Sequence, residues 1–404
     1  MEFDMRDAAQ FRWASKYPEL GTGPISVEPC VSPAYFEMER EKVFKRTWLK
    51  VGRVEEIPNA GDYKVKRIAV AGTSVIMIRT KEGTVRAFHN VCSHRGNTVV
   101  TETGEETFGS SRAAVLTCRF HGWVYDAQGA LISVPEEERF YSCFEKADNG
   151  LTPIHVDVWE GFIFINLAPR PEQNLKDYLG GYGDHFAGFP YGALDYCFTY
   201  YTYLDCNWKI AHDAFAEAYH VPTIHAGSFP NAFTTGLQNV ALFGPHRTTA
   251  ICLTLNAAGT PVASLANQRA RGSLVAKAGS NMLPPTINPD RRDDFAFELS
   301  VTFPNFLLHV ANGIWFTHQF WPIAHNKTLW EGKYYLAAPK TYSERWALEH
   351  AQVLQRNAWL EDTATMEATQ SAMESGAKRH IHLQDEEILI RHGYHVLDRY
   401  MAAE

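Results

Sequence analysis

Several absences narrow what this chain does. No apolar run is long enough to cross a bilayer; the longest, such as Gly161–Leu167, fall far short of the ~20 residues a spanning helix needs. No basic block or nucleic-acid-reading motif is present, and a formal charge of −8 gives no case for binding DNA or RNA. Met1-Glu2-Phe3-Asp4-Met5-Arg6 lacks the charged stretch and apolar core of a signal peptide, so a cytoplasmic location is the default expectation. No internal repeat or low-complexity tract appears. The seven cysteines (Cys30, Cys92, Cys118, Cys143, Cys197, Cys206, Cys252) are odd in number and dispersed. In a reducing compartment that pattern reads as buried thiols and metal ligands rather than a disulfide framework.

What is present is an ordinary globular composition, 45% apolar and 21% charged over 404 residues, long enough for two domains. Residues 1–45 read as an N-terminal arm that packs with the catalytic domain. Its helix runs from Ser32 to Lys45, with Ser32 as N-cap and Pro33 at the first helical position, where a missing N–H costs nothing. From residue 46 to 168 the apolar period switches to two. Asp62–Val70, Thr73–Arg79, Thr84–His89, Ala114–Cys118 and Phe162–Asn166 are predicted strands of an all-β domain. Pro169-Arg170-Pro171 closes it as a linker. Residues 172–404 read as α+β, with strands at Thr248–Asn256, Ala296–Phe303, Phe306–Val310, Gly313–Trp321 and Thr328–Leu336. A long helix is predicted from Ser343 to Ser375, with a capping box at Thr341-Tyr342-Ser343-Glu344 and a stop at Gly376. Ala257–Asp294, poor in large apolar residues, reads either as a lid or subunit contact or as a surface excursion.

The stretch 207–225 organises the second domain. Trp208, Ala211, Phe215 and Ala218 fit one helical face, and Asp213, Glu217 and His220 share another. Pro222 is expected to end the helix, letting His225 swing back towards His220. Taken alone, the His220-x4-His225 pair reads more readily as two satisfied structural histidines than as metal ligands.

The β domain holds Cys92-Ser93-His94 and Cys118-Arg119-Phe120-His121-Gly122-Trp123. Two thiolates and two imidazoles suit tetrahedral zinc, or a [2Fe–2S] centre in which two histidines replace two cysteines on one iron. Because each cluster supplies one cysteine and one histidine, two matched loops clamping a two-iron unit is the better reading. On the long helix, Asp362 falls on the apolar stripe of Ala347, Ala351, Leu354, Ala358 and Met366. A buried carboxylate there needs a partner. With His220 and His225 it completes a 2-His-1-carboxylate triad, the arrangement of non-haem Fe(II) sites with open positions. Glu361 and Glu367 point to other faces and read as solvated or supporting.

These residues carry a resemblance. Cys92-x-His94-Arg95-Gly96 with Cys118-x-x-His121-Gly122-Trp123 resembles the Rieske cluster motif. Asn207-Trp208-Lys209…Glu217-x-Tyr219-His220-x4-His225, followed by Glu361-Asp362-x4-Glu367-x-x-Gln370, resembles the mononuclear iron site of the Rieske non-haem iron oxygenases in their catalytic α subunits. Two departures stand out. The 23 residues between His94 and Cys118 are more than the family pattern suggests, so Thr101–Arg112 is expected to be a polar surface loop. Where many relatives carry Glu-Asn, this chain has Asp213-Ala214.

The resemblance implies an all-β Rieske [2Fe–2S] domain and a helix-grip (START-like) catalytic domain with an antiparallel sheet and a long C-terminal helix. It implies a Rieske cluster on Cys92, His94, Cys118 and His121, a mononuclear Fe(II) on His220, His225 and Asp362, and O2 as co-substrate. Electrons would come from a ferredoxin or reductase, in an α3 or α3β3 assembly. Glu217 matches the acidic residue that links the two centres across neighbouring subunits in relatives. The expected activity is mono- or cis-dihydroxylation of a hydrophobic aromatic or alicyclic compound, with oxidative O- or N-demethylation as the alternative. Expected pocket linings are Phe215, Phe303, Phe306, Leu308, Trp315 and Phe320, with Arg269, Arg271, Arg291 and Arg292 as anchors for an acidic substrate. Lys45, Arg46, Lys50, Arg53, Arg95 and Arg119 are candidates for a basic patch that docks an acidic ferredoxin, or simply solvated charges. Two readings of other classes are a Rieske electron carrier and a non-enzymatic helix-grip ligand-binding protein.

Overall fold

The structure, a computed structural model, describes residues 11–111, 113–228, 232–234, 236–255, 265–266 and 282–403. They group into two compact units, one of residues 44–178 and one of residues 11–43 with 179–403.

In chain order the strands are β1 (Ile25–Ser26), β2 (Trp48–Arg53), β3 (Asp62–Ile68), β4 (Thr73–Arg79), β5 (Val85–His89), β6 (Glu106–Ser110), β7 (Val115–Thr117), β8 (Val124–Asp126), β9 (Leu131–Ser133), β10 (Pro153–Trp159) and β11 (Phe162–Asn166). They continue as β12 (Tyr196–Leu204), β13 (Ala232–Thr234), β14 (Gln238–Phe243), β15 (His246–Leu255), β16 (Phe295–Thr302), β17 (Phe306–Ala311), β18 (Ile314–Ala324), β19 (Lys327–Leu336) and β20 (His380–Ile381).

The smaller unit is all-β. A seven-stranded antiparallel sheet of order β2-β11-β10-β5-β4-β3-β6 is joined by a three-stranded sheet, β7-β8-β9. Glu160 (φ 47°) and Gly161 (φ 79°) close the two-residue turn between β10 and β11, the conformation that matches strand twist. β6 corrects the expectation of a surface loop at Thr101–Arg112. It pairs with β3, and its ties are ionic: Glu106 meets Lys64 at 2.6 Å and Lys66 at 3.2 Å. A strand held by cross-strand charges shows no apolar alternation.

In the larger unit an antiparallel sheet of order β12-β19-β18-β17-β16-β15-β13, with β14 also on β15, curls around the 33-residue helix Tyr342–Glu374. Thr341 and Glu344 form its capping box, and the buried stripe Ala347, Ala351, Ala358, Asp362, Met366 and Gln370 faces inward. Trp359 meets Tyr200 of β12, His318 of β18 and Trp330 of β19, so the helix lies across the sheet. Gly332 of β19 makes this approach possible, since a Cβ there would stand 2.7 Å from the Trp359 ring.

The arm helix is shorter than expected: Ser32 caps Pro33–Glu39, and a wider π turn covers Arg40–Phe44. Glu39, fully buried, accepts from Lys209 Nζ (2.7 Å) and Trp208 Nε1 (3.2 Å). Asn207 caps the next helix through Lys209 N and is itself held by Gln370. The Asn-Trp-Lys motif thus seats the element that carries the site. Most of the 257–294 segment, including Arg269 and Arg271, lies outside the described residues. No described helix is long and apolar enough to cross a membrane.

Candidate metal centres and the adjoining cavity

In the β unit two loops repeat one geometry. Cys92 N donates to Asn97 O and Gly96 N to Cys92 O; Cys118 N donates to Trp123 O and Gly122 N to Cys118 O. Gly96 (φ 73°) and Gly122 (φ 72°) take the left-handed conformation that each turn requires. The thiols are buried (3% and 1% exposed) above a core that includes Trp123 and Tyr125. The two imidazoles face each other further out, Nδ1 to Nδ1, at 3.1 Å. Tyr125 Oη lies 3.2 Å from Cys92 Sγ, and Asn97 Nδ2 lies 3.7 Å from Cys118 Sγ. Burial works against a thiolate at Cys118, but the Phe120 N–H, Asn97, the Cys92 thiol and the His121 N–H outweigh it and bring its pKa below the usual value. A thiol pair inside and an imidazole pair outside is the donor set of a Rieske [2Fe–2S] centre.

The second site is built on a broken helix. The helix Trp208–Asp213 stops where Phe215 N and Ala216 N bond back three residues, and a short helix, Val221–Ile224, begins after His220. Phe215 anchors the break by stacking on His318 at 4.1 Å. The expected continuous helix is therefore corrected. Asp213, Glu217 and His220 share no helical face, and Pro222 opens the second helix instead of ending the first. The tight intervening turn brings the histidines together.

His220 Nε2 and His225 Nε2 are 3.3 Å apart, and Asp362 Oδ1 lies 3.5 Å and 3.2 Å from them. Their ligand atoms all lie within 4.8 Å of one another, the spacing that suits a single metal ion. Three donors at ~2.1 Å from one ion and at right angles stand about 3.0 Å apart, so the set fits a metal. Each imidazole has a carboxylate on its other nitrogen. Glu217 Oε1 bonds His220 Nδ1, and Glu361 Oε2 accepts from His225 Nδ1 at 3.0 Å. That fixes the tautomer that leaves Nε2 free to ligate. Burial holds the Asp362 carboxyl above its usual range against the pull of His225 and His220, a cost that a bound cation relieves.

The triad lies in the wall of a cavity of about 220 Å³. Phe215, Phe297, Phe316, Tyr334, Leu354 and Trp359 supply much of the remaining surface, and no described Lys or Arg lines it. Of the linings expected from sequence, only Phe215 is there. Phe306 and Leu308 on β17 and Trp315 on β18 occupy the alternate face, which pairing puts opposite that of His309 and Phe316. Phe320 is on the cavity face but further along, stacked on Phe215, and Phe303 stacks on Tyr400. Arg292 is held by Asp294 at 2.7 Å, and neither it nor Arg291 reaches the cavity.

Two family models match the chain. The ring-hydroxylating alpha subunit catalytic domain covers residues 191–403, more than half of the chain, and the Rieske [2Fe–2S] domain covers 47–152. The chain belongs to the Rieske ring-hydroxylating oxygenase α-subunit family. The biphenyl 2,3-dioxygenase α subunit of Rhodococcus jostii is 33% identical over 208 residues, 50% of this chain and 43% of that one. The carnitine monooxygenase oxygenase subunit of Acinetobacter baumannii is 30% identical over 199 residues, 48% of this chain and 51% of that one. The matched stretches thus span about half the length of these curated relatives. Naphthalene 1,2-dioxygenase from Rhodococcus sp. bound to indole shares the fold with a TM-score of 0.77 at 19% identity, covering 99% and 98% of the two chains. A quaternary ammonium Rieske monooxygenase in complex with an inhibitor gives 0.74 at 20% identity, covering 95% of this chain and 97% of that one.

Membership of this Rieske family brings a [2Fe–2S] cluster and a mononuclear iron, and both donor sets described above fit. Glu361, read from sequence as solvated or supporting, takes the supporting role. Its partner is 136 positions away, and no local spacing announces it. Glu361→Ala should weaken iron binding at the triad by about 10–100-fold, as loss of such supporting carboxylates does at other metal sites. Equilibrium dialysis against ferrous iron checks this. Glu367 instead accepts from Asp205 N. Asp213 adjoins His212 (3.3 Å), and its charge acts on the buried Arg247. The proposed basic patch shrinks, because Lys50 and Arg53 are buried, Arg53 on Glu55. Arg95 and Arg119 remain exposed beside the Rieske loops.

Proposed function

We propose that the chain is the terminal oxygenase component of a multicomponent system, hydroxylating a neutral, largely apolar aromatic or alicyclic compound. The observation that carries this reading is the triad opening directly into a ring-lined cavity. About 150 Å³ is enough for benzene, so the cavity suits a molecule of one or two rings. Iron held by His220, His225 and Asp362 would supply O2 activation there. The protein's own contribution is orientation and exclusion of water: Glu217 and Glu361 hold the imidazoles, and Phe215 and Trp359 shield the space in front of them.

Electrons would arrive from a ferredoxin or reductase at the Rieske domain, in a homotrimer with or without a β subunit. Glu217, already bonded to His220, is the link we assign between the two centres. Glu217→Gln keeps an acceptor for His220 Nδ1–H, so both metals should stay bound, while cluster-to-iron transfer slows by about tenfold or more. An unchanged single-turnover rate would remove the residue from that role.

Aromatic walls also suit an ammonium group, so oxidative N-demethylation is the second reading. The absence of Lys and Arg from the described lining disfavours a carboxylate-bearing substrate such as carnitine. Iron and acid-labile sulfide analysis with electron paramagnetic resonance tests the class. About three irons and two sulfides per chain support the oxygenase; about two irons would indicate an electron carrier, and none a binding module.

A further inference from the structure

Two histidines stand in the cavity wall with no part in the triad. His309 on β17 and His318 on β18 are diagonal neighbours on one face, because His309 pairs with Phe316 and Leu307 with His318. Their rings are 5.2 Å apart, both line the cavity, and both are almost wholly buried (2% and 1% exposed). Trp330 Nε1–H donates to His318 Nδ1 at 3.1 Å, which leaves the ring proton on Nε2. Among the described residues that Nε2–H has no partner, and neither ring nitrogen of His309 has one. Burial drives both rings to the neutral form, His309 to a pKa of about 3 and His318 well below its usual value. Phe316 stacks on His309 and Phe215 on His318, so the rings are held where they stand.

A buried N–H that protein does not satisfy is rare in native structures and marks a place for a ligand or water. Away from the triad and Glu217, the cavity's polar side chains are these two histidines, Gln355 and Tyr334, and the histidine nitrogens are the ones that stand buried without a partner among the described residues. We propose that His309 and His318 form a polar subsite that selects substrates carrying a neutral oxygen acceptor, a carbonyl, ether or phenolic hydroxyl, on an apolar ring system. The contact anchors the substituted end and so sets which carbon faces the triad. A carboxylate is disfavoured at this subsite, since two neutral imidazoles supply no counter-charge. The reaction this orients rests on the oxygenase reading, but the binding preference does not.

Isothermal titration of the iron-loaded protein with indane and 1-indanone, which differ by one carbonyl oxygen, tests the subsite without turnover. The ketone is expected to bind at least about fivefold tighter, since a site built to hydrogen-bond a substituent rejects the analogue lacking it. His318→Phe should bring the ratio close to one, and His318→Gln, which keeps a donor, should retain part of it. His309→Phe should also reduce it. A ratio near one in the native protein, binding of neither probe, or a ratio unchanged in both phenylalanine variants would overturn the proposal. Failure of the oxygenase reading would appear instead as missing iron or absent oxygen incorporation, with the indanone preference intact.

Discussion

Asp362→Ala should lower the iron content from about three to about two per chain, leave about two acid-labile sulfides, and abolish hydroxylation. The reasoning starts from burial. Asp362 is 3% exposed on the inward stripe of the long helix, with both histidine Nε2 atoms within 3.5 Å of one carboxylate oxygen. Removing it takes away the anionic member of the set and leaves two neutral imidazoles, too few donors to hold a divalent ion against water. The Rieske spectrum should be unaffected, because Asp362 lies in the other unit of the fold. Alanine is also the best helix former, and it removes a carboxyl that burial disfavours, so the metal-free variant should unfold no earlier than the metal-free native chain. Metal analysis and a thermal melt in chelator check both halves of this expectation.

Cys118→Ser is the complementary change. It should eliminate acid-labile sulfide and the cluster's resonance signal, leave about one iron per chain at the triad, and stop electron delivery. The Cys118 sulfur is 1% exposed and is the target of Asn97 and of the Phe120 and His121 N–H groups, so its surroundings are arranged for an anionic sulfur. Serine offers a harder oxygen that stays protonated near neutral pH, so the donors aimed at an anionic sulfur meet a neutral hydroxyl set further back. Single turnover should fall by about a thousandfold or more even with iron at the triad, since neither alternative donor nor cluster remains in the chain. Sulfide assay, resonance spectroscopy and rapid-mix turnover check it.

How far the site could be read from sequence depended on whether its geometry is local. Cys92-x-His94, Cys118-x-x-His121 and His220-x4-His225 sit within single loops, so spacing alone brought their donors together. Asp362 was visible because a carboxylate on an apolar stripe has to be accounted for. The long helix and its capping box at Thr341 were equally plain. Glu361 was left between a solvated and a supporting role because its partner belongs to another element and the contact exists only once the helix is seated. The cavity lining was misassigned on β17 and β18 because strand alternation offers two faces, and the pairing of His309 with Phe316 selects between them. The break after Asp213 was missed because Phe215 is drawn onto the sheet by rings more than a hundred residues away. β6 escaped because lysine–glutamate pairs hold it instead of apolar alternation.

The most direct test of oxygenase function is single turnover with isotopic oxygen. Protein reconstituted with cluster and iron would be reduced chemically, mixed with 1-indanone and ¹⁸O2, and its products analysed by mass spectrometry. Hydroxylated indanone carrying ¹⁸O, formed by the native chain and by neither Asp362→Ala nor Cys118→Ser, is the predicted result. A fully metallated protein that binds the ketone yet returns it unlabelled and unchanged would contradict it.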